Sequence, residues 1–230
     1  MLAIIRVFTT DDPIVLGAHG KIIEQCYKLT TRTYCIQDQL QGIYDEQSEI
    51  LAVPKIVTAA TRAAAEGAKA VFISCAADPA VAECRCALSV PVIGAGSAAA
   101  AVALALGKKI GVLNLNAPTL PVMADILRER LTAESWPQGV NNTADLLTPA
   151  GLQAAITAAQ ALAGKCDVIV FGCTGYSTVK LAKTLRAAVK VPVVDAVEAA
   201  GAVALQLLAG LPGNINEKYR NKQEGESCRS

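Results

Sequence analysis

The chain has 230 residues, 53% apolar and 4% aromatic, with a net charge of +1, enough for one large α/β domain or two small lobes with cores of their own. That apolar fraction excludes disorder, and near-neutrality gives no pull toward nucleic acid or an anionic membrane. Eight cysteines without a CxxC and a single histidine, His19, exclude a histidine-rich metal site and match no zinc spacing.

From the N-terminus, Met1-Leu-Ala-Ile-Ile-Arg-Val-Phe has neither the basic run nor the small-residue cleavage site of a signal peptide and reads as a first strand. The expectation is a cytoplasmic protein whose thiols are free. Asp11-Asp12-Pro13 then either caps the first helix or turns acid toward a ligand. His19 is expected on the surface, early in that helix. Strand-like runs at 3–8, 33–36, 70–74, 91–93, 109–114, 167–171 and 191–195 alternate with helical segments such as 49–66, 120–131, 150–163 and 197–209. That alternation predicts an α/β fold of βαβ units with mainly parallel sheets. Residues 87–107 are the most membrane-like stretch, but Pro91 and the turn at Gly94-Ala95-Gly96 break it into a buried strand and a packed helix. GAGSAA (94–99) fits a loose dinucleotide-binding fingerprint. It follows the fourth strand instead of the first, and no acid closes the next strand, so nicotinamide binding is not supported. Cys26, Cys35, Cys84, Cys86 and Cys166 are expected as packing atoms, and Cys228 as exposed in a polar tail.

The second half repeats the first. AVFISCAADPAV (70–81) answers VIVFGCTGYSTV (168–179), 98 residues on; VPVIGAGSAA (90–99) answers VPVVDAVEAA (191–200), 101 on; IRVFTTDDP (5–13) answers IGVLNLNAP (110–118), 105 on. A period near 100 is a duplicated unit, not a solenoid. Each copy sets a cysteine, Cys75 or Cys173, just after a buried strand and at the mouth of the next helix, the end of a parallel sheet where ligands bind. A helix N-terminus lowers a thiol pKa. The small residues that follow, Ala76 and Ala77 or Thr174 and Gly175, let backbone N–H groups approach a carbonyl or enolate oxygen. Two such thiols, one on each side of a carbon next to a carbonyl, can invert it: one removes the proton and the other delivers one to the opposite face.

On these residues the sequence resembles the aspartate/glutamate/hydantoin racemase family, most closely its hydantoin racemase branch, over nearly the whole chain. ISCAADPAV (73–81), IVFGCTGYS (169–177) through VPVVDAVEAA (191–200), and IGVLNLNAPTLPV (110–122) carry the resemblance. It implies two similar α/β lobes about a pseudo-twofold axis with the site between them, lobe I being 1–95 plus 197–230 and lobe II 96–196. It implies catalytic Cys75 and Cys173, with substrate contacts at Thr9, Thr10, Ala76, Ala77, Asn114, Thr119, Thr174 and Gly175. It further implies a small-molecule substrate, a homo-oligomer, and chemistry without metal or pyridoxal phosphate. The chain departs from the branch in having Thr9-Thr10-Asp11-Asp12 after the first strand where an Asn-Pro-Asn-type loop is usual. It departs from glutamate racemases in having Gly175 where they carry histidine. The expected activity is cofactor-independent racemisation or epimerisation of a hydantoin-type or related amide-activated carbon. The alternatives are an aspartate/glutamate-type racemase, or a two-lobe protein that binds a small molecule without turning it over.

Overall fold

The computed structural model describes residues 1–209 and divides into two compact units. The first comprises Met1–Ser74, Pro79–Gly94 and the chain from Gly201; the second comprises Cys75–Asp78 and Ala95–Ala200. In the first, strands β1 (Leu2–Arg6), β2 (Thr31–Cys35), β3 (Ala70–Ile73) and β4 (Val92–Gly94) form a parallel sheet in the order β2-β1-β3-β4. Helices α1 (Pro13–Tyr27), α2 (Glu46–Ala65) and α3 (Val81–Ala87) connect them. The second unit opens with α4 (Ala95–Leu106) and continues through β5 (Ile110–Leu113), α5 (Pro121–Leu127), β6 (Leu131–Ser135), α6 (Pro149–Ala163), β7 (Val168–Phe171), α7 (Gly175–Thr178), α8 (Leu181–Ala188) and β8 (Val193–Val194). Its sheet runs β6-β5-β7-β8, again all parallel, and α9 (Ala196–Ala209) follows. The two sheets share one topology, as a duplicated unit requires.

Every residue of β1, β3, β5 and β7 is buried, which is why these strands read as unbroken apolar runs: helices cover both faces of a parallel sheet. Strand β6, LTAES, was not expected. It lies at an edge, alternates half-buried with exposed, and starts where the predicted helix 120–131 was to end; α5 stops at Leu127 instead. Asp12 caps α1 by accepting from the Ile14 and Val15 amides with Pro13 in the first turn, so the capping role of that aspartate is the one realised. Asp45 and Ser48 form a capping box on α2. Residues 87–107 divide into the end of α3, strand β4 and helix α4, and no described helix is long and apolar enough to cross a membrane. The expected exposure of Cys228 lies outside the described residues.

The ladders correct one register of the repeat. Ala70 and Val168 occupy equivalent places 98 residues apart, but Leu2 pairs with Ala70 while Ile110 pairs with Val168, which sets β1 and β5 108 residues apart. The structural counterpart of Asn114 is therefore Arg6, not Thr9. A three-residue slip along continuously apolar strands leaves no mark in the hydropathy pattern, so sequence matching missed it.

Of the expected packing cysteines, Cys84 and Cys166 are buried, Cys35 is half-buried, and Cys26 and Cys86 are exposed; Cys86 is disulfide-bonded, against the expectation of free thiols. Burial, with Glu83 alongside, pushes the Cys84 thiol up to about 11 from its ordinary 9.0. In the unfolded chain the thiol ionises from pH 9 upward, while the native thiol keeps its proton to about 11, so native stability drains away as pH rises across that window. Urea unfolding at pH 8.5 and at pH 11 should show Cys84→Val losing about 2 kcal/mol less than the wild type over this range. Equal losses in the two proteins would show that Cys84 does not titrate in this way.

Candidate active site

Strand β7 delivers its chain through Gly172 to Cys173, a free, half-buried thiol at the carboxyl end of the sheet. The Gly175 amide donates to Cys173 Sγ at 3.3 Å. The expected lowering of this thiol by a helix N-terminus is not what the structure gives. Helix α7 has only four residues, and burial outweighs the pull of the Gly175 and Tyr176 amides, pushing the Cys173 thiol up to about 11. Cys173 is thus held as a proton donor at neutral pH. Gly175 is crowded: a Cβ there would lie 2.7 Å from Thr143 Cγ2 and 3.3 Å from Cys173 Sγ, so the exposed Thr143 side chain would have to shift. Thr143 is a neighbour of the thiol that no sequence motif signals.

Behind Cys173 the wall is polar and tightly tied. Tyr176 is fully buried, its ring tilted against Phe171 with centroids 5.1 Å apart, and its hydroxyl donates to the Asn114 carbonyl at 2.7 Å. Asn114 Nδ2 donates to Thr119 Oγ1 at 2.8 Å, which joins two of the expected contact residues directly. Ser177 donates to Asp195 at 2.7 Å, and the same carboxylate oxygen accepts from the Val197 and Glu198 amides at the start of α9. Burial raises the Asp195 pKa. Neither Ser177 nor Asp195 was singled out from sequence, although both lie in the repeated motifs.

Cys75 is also half-buried, and the segment Cys75–Asp78 packs with the second unit, the unit that carries Cys173. Asp78 binds it there: Oδ1 accepts from the Gly96 amide at 2.7 Å and Oδ2 from the Ser97 amide at 2.8 Å, across the first turn of α4. Asp78 and Ala80 both have left-handed backbones, at φ 53° and 57°, strained conformations for residues other than glycine and ones that cluster at functional loops. The second glycine of GAGSAA now has a reason. A Cβ on Gly96 would collide with the carbonyl oxygen of Ala76, so this glycine lets α4 lie against the loop that follows Cys75. Ala76 is buried and Ala77 half-buried in that loop; Thr174 is half-buried after Cys173.

Thr9 and Thr10 belong to the first unit. Thr9 Oγ1 donates to the Ile36 carbonyl and accepts from the Gln39 amide, both at 2.8 Å, while Thr10 Oγ1 accepts from the Asp12 amide. These hydroxyls tie the loop after β1 to the one after β2 and to the cap of α1. His19, expected on the surface, is fully buried with Nδ1 2.7 Å from Ser74 Oγ, directly before Cys75. The error comes from its place on the inner face of α1, a matter of helix phase that a lone histidine does not announce. Arg6 is buried too: its guanidinium donates to the Val15 and Leu16 carbonyls, lies 4.8 Å from the Phe8 ring centre, and is lowered to about 10 by burial. A cavity of about 400 Å³ lies at the end of β2, lined by Cys35, Lys55 and Arg62 among others, and contains neither strand-end thiol. The chemistry of the thiols outweighs cavity size in choosing the site.

Two like-built parallel sheets, each followed by a thiol on a strand-end loop, define an enzyme fold of duplicated α/β units. The Asp/Glu/Hydantoin racemase family matches residues 18–204, and the chain belongs to that family, a family of isomerases. Its fold is similar to that of an allantoin racemase from Pseudomonas fluorescens, with 22% identity, 95% of each chain covered and a TM-score of 0.79. An allantoin racemase from Klebsiella pneumoniae is similar at 21% identity, covering 93% of this chain and 89% of that one, with a TM-score of 0.77. A glutamate racemase isoform from Bacillus anthracis is similar at 17% identity, covering 94% and 85%, with a TM-score of 0.65. No curated protein matches the sequence.

Proposed function

We propose that the chain is a cofactor-independent racemase or epimerase that uses Cys75 and Cys173 as a paired base and acid on a hydantoin-type or related amide-activated carbon. The observation that carries this reading is that both strand-end cysteines are half-buried and belong to one compact unit. For one enantiomer Cys75 takes the substrate proton while Cys173, whose thiol burial pushes up, protonates the opposite face; for the other enantiomer the two exchange roles. The enolate that forms between the two steps is met by backbone N–H groups of the loops after the cysteines, around Ala76, Ala77 and Thr174. The likeness to two allantoin racemases supports a cyclic ureide, and Gly175, crowded by Thr143, stands where glutamate racemases carry histidine.

The test is incubation with optically pure 5-substituted hydantoins, allantoin, glutamate and aspartate in D2O, read by polarimetry and by deuterium uptake at the inverted carbon. Loss of rotation with deuterium uptake on the ureides is expected; turnover of glutamate or aspartate alone would overturn the substrate class. Activity on the ureides should also survive dialysis against a chelator, and a loss restored by added zinc or manganese would contradict the thiol mechanism.

A further inference from the structure

Next to Cys173 stands a buried acceptor that no protein group meets. Asn114, which follows β5, is 2% exposed. Its Nδ2 donates to Thr119 Oγ1 at 2.8 Å and to Glu134 Oε2 at 3.3 Å, while Oδ1 has no hydrogen-bond partner. The orientation of this amide is decided by charge. The Thr119 hydroxyl can meet either end of it, but an ionised carboxylate only accepts, so Glu134 must face the nitrogen. Glu134 is itself held by the Thr119 amide at 2.8 Å. The backbone around Asn114 is anchored on both sides: its carbonyl takes the Tyr176 hydroxyl, and its amide donates to the Ser135 carbonyl at 2.9 Å. Oδ1 is left over the Cα of Gly172, where any Cβ would strike it, one residue before the thiol.

A buried amide oxygen without a donor is destabilising, a penalty that persists where a ligand relieves it. A carboxylate or carbonyl oxygen would bring a second acceptor against it. An ammonium group would lose its hydration for a single neutral dipole, an unfavourable exchange. A neutral amide-type N–H fits. Resting on the racemase reading above, we infer that the substrate presents a neutral amide or ureido N–H to Asn114 Oδ1, with Glu134, Thr119 and Gly172 as the positioning residues that aim it. The same contact places the ureide nitrogen, and with it the adjoining carbon, beside Cys173.

The probes are hydantoin, 1-methylhydantoin and 3-methylhydantoin, whose binding is read by titration calorimetry. Methylating one of the two nitrogens should weaken binding to the wild type at least about tenfold, the worth of one good hydrogen bond. In Asn114→Leu, which keeps the size but removes the acceptor, that penalty should fall below about threefold. A penalty of equal size in both proteins is steric and overturns the inference, as does a wild type that binds none of the three. If Asn114→Leu does not fold, Glu134→Ala on an exposed residue carries the same test. With no carboxylate to fix it the amide turns, so the methylation penalty should shrink; an unchanged penalty overturns the inference. Polarimetry on an optically pure 5-substituted hydantoin separates this from the reaction itself. Racemisation with a penalty independent of Asn114 removes the contact and leaves the racemase, whereas an Asn114-dependent penalty without racemisation leaves the contact and removes the racemase.

Discussion

Replacing Cys75 or Cys173 by serine is expected to lower kcat/KM for racemisation by at least about 10³, within the range that one positioned proton-transfer group supplies. Serine is nearly isosteric with cysteine, so the loops that hold each residue are retained. Its hydroxyl, however, neither ionises near neutral pH nor releases a proton as readily as a thiol. The two variants should differ in what they keep. Cys173→Ser leaves Cys75 able to exchange the proton of one enantiomer with solvent deuterium, without inversion. Cys75→Ser leaves only Cys173, whose thiol burial pushes up to about 11. Its residual exchange, on the opposite enantiomer, should therefore be slower at pH 8 and rise about tenfold per pH unit until that value is approached. The sign follows from burial alone: a thiol with a raised pKa is a poor base below it and a better one as pH climbs. Mass spectrometry of each enantiomer recovered from D2O checks both halves. Full racemisation by both single variants would falsify the two-thiol scheme.

Gly96→Ala should be nearly as damaging, although the residue has no chemistry of its own. Its Cα lies against the Ala76 carbonyl oxygen, and its amide is one of the two that hold the Asp78 carboxylate. An added methyl meets a backbone atom, which no side-chain rotation can relieve, so either α4 or the loop after Cys75 must move. Overpacking of this kind destabilises by about 1–3 kcal/mol. Moving a reacting group by an ångström lowers the rate by about 10². The expected result is a fall of about 10² in kcat/KM with a lowered melting temperature. Gly164→Ala is the control, because a Cβ there meets nothing within 4 Å. A Gly96→Ala protein with wild-type melting and turnover would show that the close approach does not position Cys75.

This glycine also marks where sequence reading stops. GAGSAA carries a glycine spacing that nucleotide-binding loops use, and from the sequence the two meanings differ only in context. The contact that explains Gly96 is with Ala76, twenty residues earlier in the chain, and only folding brings the two together. His19 fails for a similar reason. Burial of a polar side chain depends on its phase around α1 and on a partner at Ser74, neither visible from one residue. Strand β6 was missed because half its residues face solvent at the sheet edge and its apolar signal is diluted accordingly.

The sequence by itself determined the duplicated α/β plan, the parallel sheets and the two strand-end cysteines. These rest on local or periodic signals: apolar runs, helix spacing, and a motif repeated 98 residues on in VFISC and IVFGC. Only the tertiary structure decided which residues share a wall and in what protonation state. Asn114 with Glu134 and Gly172, Asp78 with the first turn of α4, and the raised pKa of Cys173 all arise from contacts between separate segments of the chain or from burial. Desolvation and hydrogen-bond partnership are properties of an environment, and the environment exists only once the chain has closed on itself.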